Sequence, residues 1–467
     1  MTDTATTTAR VGRRDASPTM VLVIVCAGVV LASLDLFIVN IALPAIAAEF
    51  GTRDLSALSW VLNGYAIVYA SLLVFFGRLA DRYRRNLGFL VGVAVFTAAS
   101  AACALATSVT MLVVFRLLQA VGAALLTPTS LGLVLASFPA ERRPGAVRTW
   151  TAIGGLAAAL GPVIGGLLVA VSWRWVFLVN VPVGVIALVV GWFRLPDIPG
   201  HRGTRPDALG TILVTAGIAT LTFALVKGND WGWSTAATIG TLAVSAVLLG
   251  SFITHTRRAT NPLIDPALFR IRAFTGSTIV AAVFSAAFGG MLLSVVLWQQ
   301  DVWGWSALQS GLAITPGPIM VPVFAFLVAG RLIARLGAGA VIIIGLLSFA
   351  AGLAWFAVLV SLTPDYLTQL LPGMLLTGVG VGLTLPTVMA TGTSPLPAPS
   401  FATGSAVITM LRQTGLAIGV AVLVAVLATP TTPAEQLAAF RHGWWVLAAI
   451  AAIGTLPAAA YLRRAPR

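Results

Sequence analysis

Residues 77–86 read GRLADRYRRN, four arginines and one aspartate in ten residues of a chain in which only 9% of residues are charged. Apolar runs flank the stretch, VLNGYAIVYASLLVFF before it and LGFLVGVAVFTAASAACALA after it. Outward from this point the pattern repeats, a run of about 20 apolar residues followed by a short polar connector. Over the 467 residues, 58% are hydrophobic and the mean hydropathy is +0.99. Runs of this length without period-2 alternation span a bilayer as helices, because lipid offers no partner to an unpaired backbone group. The fold class read from the sequence is therefore an all-α integral membrane protein.

The apolar runs lie at 20–42, 57–76, 87–105, 110–136, 147–171, 175–194, 208–226, 236–254, 274–298, 308–329, 339–360, 367–390, 403–427 and 443–462, which predicts 14 transmembrane helices. With residue 1 on the cytoplasmic side, the inner segments hold 22 of the 28 basic residues, and the outer ones only Arg53, Arg174, Lys227 and Arg441. This asymmetry predicts that both termini are cytoplasmic. The net charge of +14 is thus a matter of topology and implies no nucleic acid partner. A multi-pass protein of the cytoplasmic (inner) membrane, acting as a monomer, is expected.

Several function classes fall away. The first run is too long for a signal peptide and lacks a small-residue cleavage site after it, so it is expected to be retained. Cys26 and Cys103 both lie inside spans, which argues against a disulfide framework or a thiolate metal site. His201, His255 and His442 sit in or beside loops and form no ligand cluster. The only lysine is Lys227, in VKGND (226–230), so no phosphate-binding loop exists in this sequence and no cofactor is expected. No nucleophile–base pair shares a depth, which argues against an enzyme. Movement of a solute must then draw on an ion gradient, a partner or diffusion.

A second copy of the opening motif occurs as GRLIARLG (330–337), again between two apolar runs, with Ala334 where the first copy has Asp81. The spacing predicts two parallel six-helix halves, 20–194 and 273–462, with two inserted helices and their linkers at 195–272 and short cytoplasmic tails at 1–19 and 463–467. The linkers are RLPDIPGHRGTRPD (194–207) and HTRRATNPLIDPALFRIR (255–272), the second long enough for a short surface helix.

On these residues the chain resembles the major facilitator superfamily, and within it the fourteen-span drug:proton antiporters of bacteria. GRLADRYRRN is similar to that family's loop between spans 2 and 3, and LDLFIVNIALPAI (34–46) and RLLQAVGAALLTP (116–128) are similar to its span 1 and span 4 motifs. LGPVIGG (160–166) resembles the Gly-Pro motif of antiporters, and MLRQTGLAIG (410–419) the Arg-Gln segment of span 13. Arg84 and Asn86 depart from the loop pattern, which usually has Gly and a base there. The resemblance implies a gating loop built from Gly77, Arg78, Asp81, Arg82 and Arg85, with Asp81 pairing with loop arginines and the start of span 13 near Ala402–Gly404. It also implies a hinge between halves at Gly161, Pro162, Gly165 and Gly166.

Asp35 is the one acid well inside a span, and an intramembrane carboxylate usually faces a wet cavity and carries protons. The competing reading is a structural acid bonded to a neighbour such as Asn40. Counting about 1.5 Å per residue puts Arg116 at nearly the same depth. The resemblance implies that Asp35 and Arg116 handle the coupling proton; a structural cation bound to backbone carbonyls is the alternative for Arg116. Candidate residues for a substrate cavity are Asn40, Asn63, Tyr65, Tyr69, Gln119, Trp298, Gln299, Met389, Arg412 and Gln413. WQQDVWGWS (298–306) also fits an interfacial aromatic belt. One intramembrane acid facing two bases leaves little negative charge for dicationic substrates, so neutral, monocationic or anionic amphiphiles are expected. The resulting expectation is a proton-coupled exporter of small amphiphilic drugs working by alternating access. A proton-coupled importer, a lipid transporter and a non-transporting receptor are the alternatives.

Overall fold

Every long apolar run of the sequence is helical, and among the described residues there is no strand. The computed structural model describes residues 17–52, 54–82, 84–139, 141–198, 207–396, 401–428 and 430–462; the side chains at 80–82, 143–144, 148, 151–152, 155, 159 and 401–402 also fall outside the description. In chain order the helices are α1 (Pro18–Glu49), α2 (Leu55–Arg82), α3 (Arg85–Ala104), α4 (Val109–Ser137), α5 (Arg143–Val169), α6 (Trp175–Arg194) and α7 (Ala208–Trp231). They continue as α8 (Ala236–Arg258), α9 (Arg272–Val302), α10 (Ala307–Leu336), α11 (Ala338–Leu359), α12 (Tyr366–Thr393), α13 (Phe401–Leu427) and α14 (Pro433–Leu462). Among the described residues thirteen are long and apolar enough to cross a membrane.

Local chemistry sets the helix starts. Ser17, Ser108, Asp207 and Thr235 accept a first-turn backbone N–H at α1, α4, α7 and α8. Reciprocal capping boxes, Ser306/Gln309 and Thr432/Glu435, start α10 and α14. Pro44, Pro128, Pro162, Pro322 and Pro386 lie inside helices, where each lacks the N–H that would continue the backbone ladder. The stretch at 255–272 holds a single 3₁₀ turn, Pro266–Arg270.

The packing divides the helices. In one group α1 lies on α5, α2 on α4 and α3 on α4 and α6; in the other α9 lies on α13, α10 on α12 and α11 on α12 and α14. The groups meet where α2 runs along α13 and where α5 meets α10. At the second crossing the approach is very close, since a Cβ on Gly166 would lie 2.7 Å from the Ala307 carbonyl oxygen. Gly311 of α10 sits more tightly still on the Pro162 carbonyl oxygen. Only glycine allows backbones this near. The contact runs along the first turns of α10 and thins beyond Pro316, so the groups are clasped at the arginine-poor end of the bundle.

The inserted pair is asymmetric. α7 packs against both α2 and α13, covering their seam, while α8 packs mainly on α7, with only 11% of the residues in its apolar window buried. Near its end α7 reaches both sides of the seam. Lys227 Nζ lies 3.0 Å from Ser56 Oγ and 3.8 Å from Asp54 Oδ2, and Asn229 Nδ2 donates to the Ala425 carbonyl at 2.5 Å. At its other end Asp207 accepts from the Gly210 and Leu263 N–H groups at 2.8 and 2.9 Å and contacts His255 Nε2 at 2.9 Å. Burial pushes the Asp207 carboxyl up, but these hydrogen bonds and the neighbouring imidazole outweigh it and hold the group below the usual carboxylate range.

The opening loop is braced by the linkers. Arg84 pairs with Asp197 at 3.0 Å, Arg78 Nη1 donates to the Asn261 carbonyl at 3.5 Å, and Arg85 Nη1 donates to the Gly132 carbonyl at 3.4 Å. Gly77 lies against Pro128 of α4. The side chains of Asp81 and Arg82, and with them the expected latch to Ala402, lie outside the described residues.

Candidate functional site

Four helices converge on one carboxylate. Asp35 of α1 is fully buried and Arg116 of α4 is 1% exposed; Arg116 Nη1 donates to Asp35 Oδ2 at 2.5 Å. Gln119, one turn further along α4, donates from Nε2 to Asp35 Oδ1 at 2.8 Å and accepts from Arg116 Nη1 at 2.6 Å. Asn180 of α6 donates to the same Asp35 oxygen at 3.3 Å, and Ser100 of α3 accepts from Gln119 at 2.6 Å and from Asn180 at 3.3 Å. Arg116 Nε donates to the Val61 carbonyl at 3.1 Å, and its guanidinium lies 4.1 Å from the Tyr65 ring centroid.

This arrangement answers the depth argument: the two charges share a level and touch. Both readings of Arg116 describe part of what is seen, an ion pair with Asp35 and a bond to a backbone carbonyl. Asn40 is not a partner of Asp35, because its amide donates to the Leu36 carbonyl of its own helix at 3.3 Å. Charges at 0% and 1% exposure are tolerable only when paired and hydrogen-bonded, and the set Gln119, Asn180, Val61 and Tyr65 supplies those partners. Protonating Asp35 would cancel the ion pair and release the guanidinium, the type of charge change that biases a packed interface between two arrangements.

Arg116 also borders a small cavity of about 40 Å³ at the seam, lined among others by Leu36, Asn40, Asn63, Leu416 and Val420. Asn63 is fully buried and its Oδ1 has no partner. Tyr65 and Tyr69 stack with centroids 5.9 Å apart, and Tyr69 shares a hydrogen bond of 3.2 Å with Thr127. Arg412 of α13 lies near Tyr69 across the seam, with its Nε buried and unpartnered. Gln413 beside it is 5% exposed, with an unpartnered Oε1.

The remaining expected cavity residues lie elsewhere. Trp298 is fully buried among Trp303, Phe440 and Trp444, in an aromatic cluster of the second helix group; it forms neither a belt nor part of this cavity. Gln299 is buried in the π-helical end of α9 with both amide atoms unpartnered. Met389 packs half-buried against the core. Of the hinge residues, Gly161 and Gly165 seat α5 on α1, whereas Pro162 and Gly166 face α10. Ser100 and Asn180 are the site residues that the sequence reading missed. Asn180 had a signal, an amide in the apolar run WVFLVNVPVG; Ser100, in a run of alanines, had none.

Among curated proteins the chain is similar to the methylenomycin A resistance protein of Streptomyces coelicolor, 34% identical over 89% of this chain and 87% of that protein. It is 38% identical to the tetracenomycin C resistance and export protein of Streptomyces glaucescens over 72% of this chain, spanning 62% of that relative's length. It is 35% identical to the multidrug resistance protein Stp of Mycobacterium tuberculosis over 86% of this chain and 74% of that protein. Among solved structures, the POT family transporter PepTSo superposes with a TM-score of 0.66 at 16% identity, covering 95% of this chain and 97% of that one, a likeness of fold. The Major Facilitator Superfamily model matches residues 25–420, and this chain belongs to that family.

Proposed function

We propose that this protein is a proton-coupled exporter of amphiphilic drugs or antibiotics that works by alternating access, with the arginine-rich end and both termini in the cytoplasm. The observation that carries the reading is the buried Asp35–Arg116 pair beside a cavity at the seam of the two helix groups. The resistance and export proteins it resembles support the direction of transport. The matching helix contacts of the two groups, α1 on α5 as α9 on α13 and α3 on α4 as α11 on α12, support a duplicated six-helix layout. With α5 and the inserted pair this layout has fourteen spans and acts as a monomer in the cytoplasmic membrane.

In the proposed cycle Asp35 takes up a proton from outside, its pairing with Arg116 is lost, and bound drug leaves. The groups then rock about the α5–α10 clasp, the proton leaves inward and substrate enters. The test is efflux into inverted membrane vesicles energised by a proton gradient, comparing the native protein with Asp35→Asn. Loss of gradient-driven accumulation in a variant that elutes as a monodisperse peak is expected. Undiminished accumulation would sink the assignment of Asp35. Uptake in the same direction as proton flow would replace the exporter with an importer.

A further inference from the structure

The second intramembrane arginine has no counter-ion among the described residues. Arg412 lies one turn along α13 from Leu416, which lines the cavity, and so opens onto the same seam from the arginine-rich side. Among the described residues no carboxylate lies within ion-pair distance of it, its Nε is buried without a partner, and the Tyr69 phenol of α2 lies close enough to act on it electrostatically. Asp35 cannot serve, since Arg116, Gln119 and Asn180 occupy it. A guanidinium at membrane depth without an acid is expensive, and an ionisable group in that position marks a substrate or ion pathway.

We infer that Arg412 is the anion-binding residue of the substrate site, and that the exported molecules are flat aromatic amphiphiles carrying a single acid, a carboxylate or phenolate. The acid pairs with the Arg412 guanidinium, whose planar fork suits a carboxylate. The Tyr69 ring, stacked on Tyr65 at 18° from parallel, is the aromatic surface beside it. Asn63 Oδ1, buried and unpartnered on the cavity wall, accepts from a hydroxyl or amide of the ligand. The charge count favours this class: with Asp35 and Arg116 cancelling, the seam keeps one net positive charge, which repels cationic drugs and welcomes an anion. This deepens the exporter reading and rests on it for the direction of movement.

The test uses the full chain in detergent and three probes of one ring system: 2-naphthoate, its methyl ester and 2-naphthylmethylammonium. Binding is measured by titration calorimetry at neutral pH. The native protein should bind the acid at least about tenfold more tightly than the ester or the amine. Arg412→Gln should erase that preference, and Arg412→Lys should retain part of it, as a charge without the fork. Equal binding of acid and ester by the native protein, or an acid preference that survives in folded Arg412→Gln, would overturn the inference. If Arg412→Gln does not fold, the probe series on the native protein and Arg412→Lys decides. Acid-selective binding without flux in proteoliposomes would keep the site and remove the exporter; flux without acid selectivity would do the reverse.

Discussion

Arg116 meets Asp35 through a single nitrogen, Nη1, which also contacts Gln119 Oε1, so the pair is triangulated rather than isolated. Removing one member leaves the other buried and unpaired. Arg116→Ala should therefore lower stability by about 3–5 kcal/mol, while the double change Asp35→Asn with Arg116→Gln should recover most of it by replacing two charges with neutral hydrogen-bonding groups. Thermal unfolding in detergent checks the first half of this statement. The double variant should still fail to couple transport to a proton gradient, which separates the structural from the functional share of the pair.

Gln119→Leu leaves the ion pair but takes away a donor to Asp35 and to Ser100 at once. Stranding buried polar groups in this way should cost about 1–3 kcal/mol. Asn180→Leu, with two longer bonds at 3.3 Å, should cost less. The reverse order in paired unfolding experiments would mean that α6, not α4, is the main support of the carboxylate.

A side chain at Gly166 cannot coexist with the Ala307 carbonyl in this packing. Gly166→Val should fold but hold α5 and α10 apart at the arginine-poor end, abolishing transport. Because Cys26 and Cys103 are both buried, a single cysteine introduced at Asn40 can report cavity access against a quiet background. Its labelling by an impermeant thiol reagent from that end should rise severalfold in the Gly166→Val background. Unchanged labelling would show that the clasp does not close the cavity.

Asp207 supplies a pH test outside the bilayer. Its depressed pKa contributes stability that is fully present above the ordinary carboxylate value of about 3.9 and is lost as pH falls through the folded value. Asp207→Asn should therefore melt earlier than the native protein at pH 7, and the gap should close on acidification below the usual carboxylate range. A gap that persists in acid would mean that the carboxylate's charge is not what matters.

Much of this was readable in advance, and the boundary has a physical cause. Rare polar residues in apolar runs announce themselves, so Asp35, Arg116, Gln119 and Arg412 were visible, and helix rise placed the first two at one depth. Rotation about a helix axis is not readable when every face is apolar, which is why Trp298 could be read as cavity or belt yet sits in an aromatic core. Ser100 and Asn180 gain meaning only when α3 and α6 pack beside α1, a tertiary fact.

The seam cavity has room for a few water molecules, about 40 Å³, whereas drug-sized ligands occupy sites of roughly 300–1,000 Å³. A drug-sized substrate therefore needs an arrangement with a wider seam than this one, and binding it shifts the population toward that arrangement by mass action. Substrate and a compound that stabilises the tight seam would compete without sharing a single contact. An inhibitor screen on this protein would find such compounds by their failure to resemble anything it exports.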